Sequence, residues 1–252
     1  MKNIFKIVLF SMLCVACTNE DILQETNTKT KKTKESVDII TQEYDYYGKL
    51  FKVAYFLDTK ENKVVRTEGD IEMAEKVFGK EAKSKSVVFI MDAENNTNNF
   101  ITSKVFDTYK EATAYLGQDS LGISDTKNQK SECEDVDTYG PIDYRFYKDI
   151  DYFDEMTGIT AFKRKDYTKN HLGVYNDQLS SFMCSSLYQW EVSITLFEDI
   201  CKRGKSYTFF KPYNDPNLRV DDLRRYTLSG WWFWRQSWND KVSSFSATSK
   251  RP

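Results

Sequence analysis

Apolar and polar positions alternate with period two through Phe51, Val53, Tyr55 and Leu57, which predicts a half-buried strand. A polar turn and Val64-Val65 follow, and then the period changes. From Ile71 through Ala74, Val77 and Phe78 the apolar positions recur at helical spacing, with Asp70 as the N-cap and Gly79 as the stop. The same order returns downstream: Val87 to Met91, a polar turn, Phe100 to Val105, Asp107 as a cap, then Tyr109, Ala112, Tyr115, Leu116 and Gly117. This reads as ββα repeated twice, a four-stranded antiparallel sheet under two helices, and predicts an α+β N-terminal domain over residues 41–117. Asp92, Glu94 and Asn96 invite comparison with an EF-hand loop. Thr97 at its sixth position and Ser103 at its twelfth replace the glycine and glutamate such a loop needs, so a hairpin turn is expected there.

Two polar stretches punctuate the chain. Residues 18–40, rich in Thr, Lys, Glu and Asn, offer almost nothing to bury and predict a flexible stalk. Residues 118–141 are again polar and close on Gly140-Pro141, which predicts a linker. The remaining segment, 142–252, carries an internal repeat. Tyr175-Asn176-Asp177-Gln178-Leu179-Ser180-Ser181-Phe182 is echoed by Trp238-Asn239-Asp240-Lys241-Val242-Ser243-Ser244-Phe245. Each copy is an aromatic, the hexad Asn-Asp-x-x-Ser-Ser, and a phenylalanine. The hexads supply hard oxygens of the type calcium prefers, and the apolar positions supply a strand that can be buried. Asn-Asp ahead of a strand is also common turn chemistry, so the same residues admit a purely structural reading.

The hexads and their surroundings resemble the βγ-crystallin family, whose calcium-binding members carry such a hexad once in each of two Greek keys. The family's opening, an aromatic, an acidic hairpin and a glycine, is matched by Phe146-Tyr147-Lys148-Asp149 through Gly158, and by Leu196-Phe197-Glu198-Asp199 through Gly204. The first opening is stretched by Asp154 to Thr157, and the second has Lys202 where an aromatic is usual. The resemblance implies an all-β two-Greek-key sandwich over 142–252 that binds Ca2+. It nominates Asp177, the Gln178 carbonyl and Ser180, with Asp240, the Lys241 carbonyl and Ser243. Further carbonyls fall at about Lys148 and Glu198, and Ser181 and Ser244 take the place of the serine that pins each hairpin. Modest ligand charge implies weak sites, with Kd of about 10⁻⁴–10⁻³ M.

The N-terminus predicts location. Lys2 and Lys6 flank a short apolar run, Ile7 to Ala16, of signal-peptide length. It ends in Leu13-Cys14-Val15-Ala16-Cys17, which resembles a bacterial lipobox with residues 1–17 as signal and anchor and Cys17 as the lipidated residue. Plain secretion with cleavage after Ala16 is the alternative. Thr18-Asn19-Glu20-Asp21 lacks an aspartate directly after the cysteine, which resembles outer-membrane sorting, and its acidic pair resembles a surface-export tag. The expected protein is an outer-membrane, lipid-anchored and surface-exposed one, held by its acyl chains.

Composition narrows the function. The chain has 252 residues and a formal net charge of −2, so no nucleic-acid surface is implied. A single histidine, His171, excludes a multi-histidine metal site, and no phosphate-cradling glycine pattern or nucleophile motif is present, so no enzyme is expected. Trp231-Trp232-Phe233-Trp234 lies within an apparent insertion, Asn214 to Gln236. Trp232 and Trp234 would share one face of a strand and could contact an extracellular glycan or protein, although burial is the commoner use of such rings. A proteinase inhibitor is a further alternative resting on fold analogy. Of the cysteines beyond the anchor, Cys184 and Cys201 are the preferred pair and Cys133 is left over, with free buried thiols as the alternative.

Overall fold

A computed structural model of the chain describes residues 37–58, 60–61, 63–79, 85–90, 99–117, 133–186, 190–213, 217–230 and 235–251. The N-terminal half contains β1 (Val37–Tyr46), β2 (Lys49–Asp58), β3 (Lys63–Gly69), α1 (Ile71–Phe78), β4 (Ser86–Ile90), β5 (Phe100–Phe106) and α2 (Tyr109–Tyr115). The C-terminal half contains β6 (Val136–Tyr147), β7 (Ala161–Lys169), β8 (Ser181–Ser186), β9 (Glu191–Asp199), β10 (Arg203–Lys211), β11 (Asn217–Val220), β12 (Thr227–Ser229), β13 (Gln236–Ser237) and β14 (Ser244–Lys250).

Among the described residues twelve of these strands hydrogen-bond in one mixed sheet, in the order β11-β8-β6-β7-β14-β9-β10-β4-β5-β1-β2-β3. The expected α+β domain of two ββα units, followed by its own two-Greek-key sandwich, is therefore wrong. The described residues are mostly β with two α-helices, and strands of both segments belong to one hydrogen-bonded array. Two pairings overturn the expectation. β1 runs parallel to β5, from Thr41↔Phe100 to Tyr46↔Val105. β4 runs parallel to β10, from Ser206↔Ser86 to Phe210↔Ile90, and this pairing joins the halves.

The physical reasons can be read in those strands. β1 reaches back to Val37, into the expected stalk, and one of its inward positions is the polar Gln42, 1 % exposed, which conceals the alternation. β4 is buried at four successive positions, Ser86 to Phe89. A short strand without alternation is one covered on both faces and paired on both edges, not one in a lone hairpin sheet. Similarly, 136–141 of the expected second linker is the start of β6.

The apparent insertion ties the halves together. Gln42 Nε2 donates to the Arg225 carbonyl, Thr227 Oγ1 donates to Gln42 Oε1 at 2.7 Å, and Gly230 N donates to the Phe78 carbonyl at 3.2 Å. The Arg235 guanidinium lies 4.5 Å from the centre of the Tyr55 ring. Beneath them Phe89, Tyr207, Phe209 and Tyr226 pack edge-on, which places one aromatic core under strands of both halves.

Candidate metal centre

Within the C-terminal half the same local geometry occurs twice. β6 pairs antiparallel with β7 and β8, and β9 pairs antiparallel with β10 and β14. Each hexad is a turn delivering the chain into the last strand of its set. Leu179 and Val242, the apolar residues of the two hexads, are fully buried and anchor the turns.

The two turns bind each other. Asp177 N donates to the Val242 carbonyl at 3.1 Å, and Asp240 N donates to the Leu179 carbonyl, also at 3.1 Å. Both aspartates take left-handed backbone, φ 54° in each case. That conformation costs an L-residue energy, least for Asn and Asp, and aims each carboxylate across the gap. Asn176 Nδ2 donates to Asp177 Oδ2 at 2.8 Å, and Asn239 Nδ2 donates to Asp240 Oδ2 at 2.6 Å. The other carboxylate oxygen faces a serine of the opposite hexad. Ser243 Oγ lies 3.4 Å from Asp177 Oδ1, and Ser180 Oγ lies 3.3 Å from Asp240 Oδ1.

The hairpins complete the frame. Ser180 N donates to the Tyr147 carbonyl, and Ser243 N to the Phe197 carbonyl, each at 3.0 Å. Ser181 Oγ donates to the Asp149 carbonyl at 2.6 Å and accepts from Tyr152 N at 3.2 Å. Ser244 Oγ does the same with the Asp199 carbonyl at 2.6 Å and Lys202 N at 3.1 Å. The carbonyl-bearing residues Lys148 and Glu198 thus lie between two pinned neighbours, beside the turns. Their side chains point to other work: Lys148 pairs with Asp154 at 2.9 Å, and Glu198 with Lys205 at 3.3 Å.

Sequence spacing misjudged the first hairpin. Its left-handed residues are Asp151, Tyr152 and Asp154, and those of the second are Cys201, Lys202 and Gly204. Asp154, not Gly158, therefore stands where Gly204 stands. Asp149 and Asp199, whose carbonyls hold the last serine of each hexad, were not singled out by sequence. Their signal was present in the matching Asp that follows Lys148 and Glu198.

Burial pushes the Asp240 carboxyl up; Asp149 and Asp177 add repulsion, and Ser180 and Lys241 pull the other way. The Asp240 carboxyl therefore stands in a partly desolvated space. The Asn176 and Asn239 Oδ1 atoms are also buried and without a hydrogen-bond partner, one in each turn. Among the described residues no group of three or more His, Cys, Asp or Glu has the placement to hold a metal. An ion here would therefore have fewer than three such side chains and would need hydroxyl, carbonyl and water oxygens besides.

Comparison with protein families, curated proteins and solved structures finds no match to this chain.

The remaining sequence-nominated features separate cleanly. Gln178 is half-buried with its Nε2 donating to the Val174 carbonyl, and Lys241 is exposed beside Asp240. His171 is an exposed loop residue whose Nδ1 accepts from Gly173 N. Cys17 with the expected stalk up to residue 36, the expected hairpin turn of Asp92, Glu94 and Asn96, and Trp231 to Trp234 lie outside the described residues. No helix among the described residues is long and apolar enough to cross a membrane. The disulfide pair differs from the preferred one. Cys201 is bonded to Cys133, with Cα atoms 4.7 Å apart, and Cys184 lies outside that bridge, buried on β8. The cause is orientation: Cys184 is 1 % exposed and points into the core, whereas Cys201 sits in the second hairpin within reach of the segment preceding β6.

Proposed function

We propose that the paired turns bind calcium, one ion at Asp177–Ser243 and one at Asp240–Ser180, in a non-catalytic lipoprotein held at the outer membrane through Cys17. The observation that carries the reading is the reciprocal pair of long oxygen–oxygen separations, 3.4 and 3.3 Å. Both exceed the roughly 2.7–2.8 Å usual for a hydroxyl hydrogen bond. They suit two neighbouring ligands of one calcium, since oxygens about 2.3–2.6 Å from an ion and this far apart subtend roughly a right angle.

The resemblance of the hexads to those of calcium-binding βγ-crystallins supplies the remaining oxygens: the Gln178 and Lys241 carbonyls, with Lys148 and Glu198 from the hairpins. Ser180 and Ser243 are buried while Asp177 and Asp240 reach solvent, Asp240 with its carboxyl partly shielded, so the hydroxyls form the floor and the carboxylates the rim. An ion can enter from solvent without any opening of the core. The bound ion would relieve the carboxylate repulsion and tie the two repeats together, a structural or adhesive use suited to calcium-rich surroundings. Binding to the folded state alone stabilises it by RT ln(1 + [L]/Kd), about 1.4 kcal/mol for each tenfold excess over Kd.

Calorimetric titration of the full chain with calcium tests the reading. Two ions per chain are expected, with none for Asp177→Ala plus Asp240→Ala. Heat-free titration of the native chain, together with a melting temperature indifferent to millimolar calcium, would overturn it.

A further inference from the structure

The two hairpins that frame the turns are held by different means. In the first, Asp151 N donates to the Asp221 carbonyl at 2.8 Å, and Leu223 N donates to the Ser180 carbonyl at 2.9 Å. That segment is secured by ion pairs, Asp221 with Arg225 at 3.1 Å and Asp222 with Arg224 at 2.7 Å. In the second, the equivalent bond runs from Cys201 N to the Asn170 carbonyl at 2.9 Å. Here the support is covalent, because Cys201 is bridged to Cys133.

The bridge closes a small frame around Asn170, which is 2 % exposed. Asp135 Oδ1 accepts from Asn170 N at 2.9 Å, the Glu134 carbonyl accepts from Asn170 Nδ2, and Lys169 pairs with Asp135 at 2.9 Å. Glu134 and Asp135, which follow Cys133 directly, thus clamp the chain that leads into the first hexad. Both arms of the frame end on the same pair of serines. From Asn170 the chain runs to Leu172, whose N donates to the Ser243 carbonyl at 3.3 Å. From Cys201 it runs to Lys202, whose N donates to Ser244 Oγ at 3.1 Å. Ser243 is the partner of Asp177. Ser180, the partner of Asp240, is held by the first hairpin and the Leu223 segment.

We infer that the Cys133–Cys201 bridge is a positioning element for one calcium site only, the Asp177–Ser243 site, and leaves the Asp240–Ser180 site independent of it. This rests on the calcium reading above. The bridge fixes the serine that must stand beside Asp177, so without it the ion has to order that oxygen at its own expense. A dithiol that reduces the S–S bond to two thiols, itself becoming a cyclic disulfide, converts a two-ion protein into one that holds a single ion well. The metal content would then follow the thiol–disulfide balance of the surroundings.

The test is calcium titration of the full chain, native and as Cys133→Ser plus Cys201→Ser, each alone and combined with Asp177→Asn or Asp240→Asn. Loss of the bridge is expected to weaken one of the two ions by about tenfold or more. The ion remaining in Asp240→Asn should be the sensitive one, and the ion remaining in Asp177→Asn should not respond. Asp135→Ala in the bridged chain provides a second route that keeps the covalent link, and a smaller loss at the same site is expected. Equal weakening of both ions, or of neither, overturns the inference while leaving the calcium reading in place. Absence of calcium binding by the native, oxidised chain overturns both.

Discussion

Asp177 and Asp240 hold the same left-handed backbone, φ 54°, and each donates its N–H to the buried apolar residue of the other's turn. Neither turn is therefore complete alone. Each aspartate is paired with the serine of the opposite hexad, so each candidate site draws one ligand from each repeat. A conformation that an L-residue adopts at some cost, repeated at two equivalent positions, is the kind of local strain that persists where the surroundings impose it and function uses it.

This crossing makes a sharp prediction. Ser243→Ala removes an oxygen from the Asp177 site, although the residue lies in the other hexad, and Ser180→Ala removes one from the Asp240 site. Each variant is expected to lose one ion and keep the other. Combining Ser243→Ala with Asp177→Ala should cost no further ion, whereas combining it with Asp240→Ala should abolish binding. Calorimetric stoichiometry separates these outcomes; if each hexad instead forms its own site, the two combinations exchange results.

The last serines act on stability rather than on the ion. Ser181 and Ser244 are fully buried, and each hydroxyl both donates to a hairpin carbonyl and accepts from a hairpin N–H. Replacement by alanine removes the hydroxyl that serves both partners. Ser181→Ala and Ser244→Ala are each expected to destabilise the fold by about 1–3 kcal/mol, without calcium, measured by urea denaturation. An effect near zero for both would show that water replaces the hydroxyl at no cost.

How much of this was legible in the sequence depends on the range of the contacts. The hexads were visible because the spacing of Asp177, Ser180 and Ser181 is local, and the copy at Asp240, Ser243 and Ser244 repeats it. The helices were visible for the same reason, with one shift: Thr108, not Asp107, caps α2, in a capping box with Glu111. Asp70 stands at the N-cap of α1 but spends its carboxylate on Lys52 N at 2.9 Å. The joining of the halves was hidden because parallel partners such as β4 and β10 lie far apart in the chain and share no turn to announce them. Asp154 was hidden because an aspartate took a backbone conformation sought at a glycine. The Cys133 bridge was missed because the sequence shows no fold-back of that segment onto the second hairpin.

Proton competition gives an electrostatic check. Burial raises the Asp240 carboxyl, so in the window above its unfolded value the folded state holds more protons than the unfolded one. Without calcium, this group's contribution to stability is fully present below the unfolded pKa and is lost as pH rises through the folded one. Calcium requires the ionised form and acts in the opposite sense. The calcium-induced rise in melting temperature should therefore shrink as pH falls from about 7 toward the carboxylate range near 4. Asp240→Asn should remove the part of that dependence belonging to its site. Thermal melts across that range, with and without millimolar calcium, decide it; a calcium effect that grows on acidification contradicts the assignment.

The shared sheet predicts that the repeat-bearing half does not stand alone. β10 sits between β9 and β4, and its inward residues Tyr207 and Phe209 are 1 % and 0 % exposed. Removing residues 1–132 uncovers the edge that β4 had paired. It also deprives Tyr226 and Phe209 of Phe89, Tyr207 of its Ser103 partner at 2.9 Å, and Thr227 of Gln42. A bare central strand beside uncovered aromatic rings costs burial at about 25 cal/mol per Å² of apolar surface and leaves a template for edge-to-edge association. A fragment of residues 133–252 is therefore expected to aggregate or to lack a cooperative melt, while the full chain melts in one transition. A milder cut at the same junction, Gln42→Ala, should keep the fold and lower its stability by about 1–3 kcal/mol, since Thr227 and the Arg225 carbonyl lose a buried partner. A fragment that melts cooperatively at the temperature of the full chain would show instead that the β4–β10 junction carries no stability.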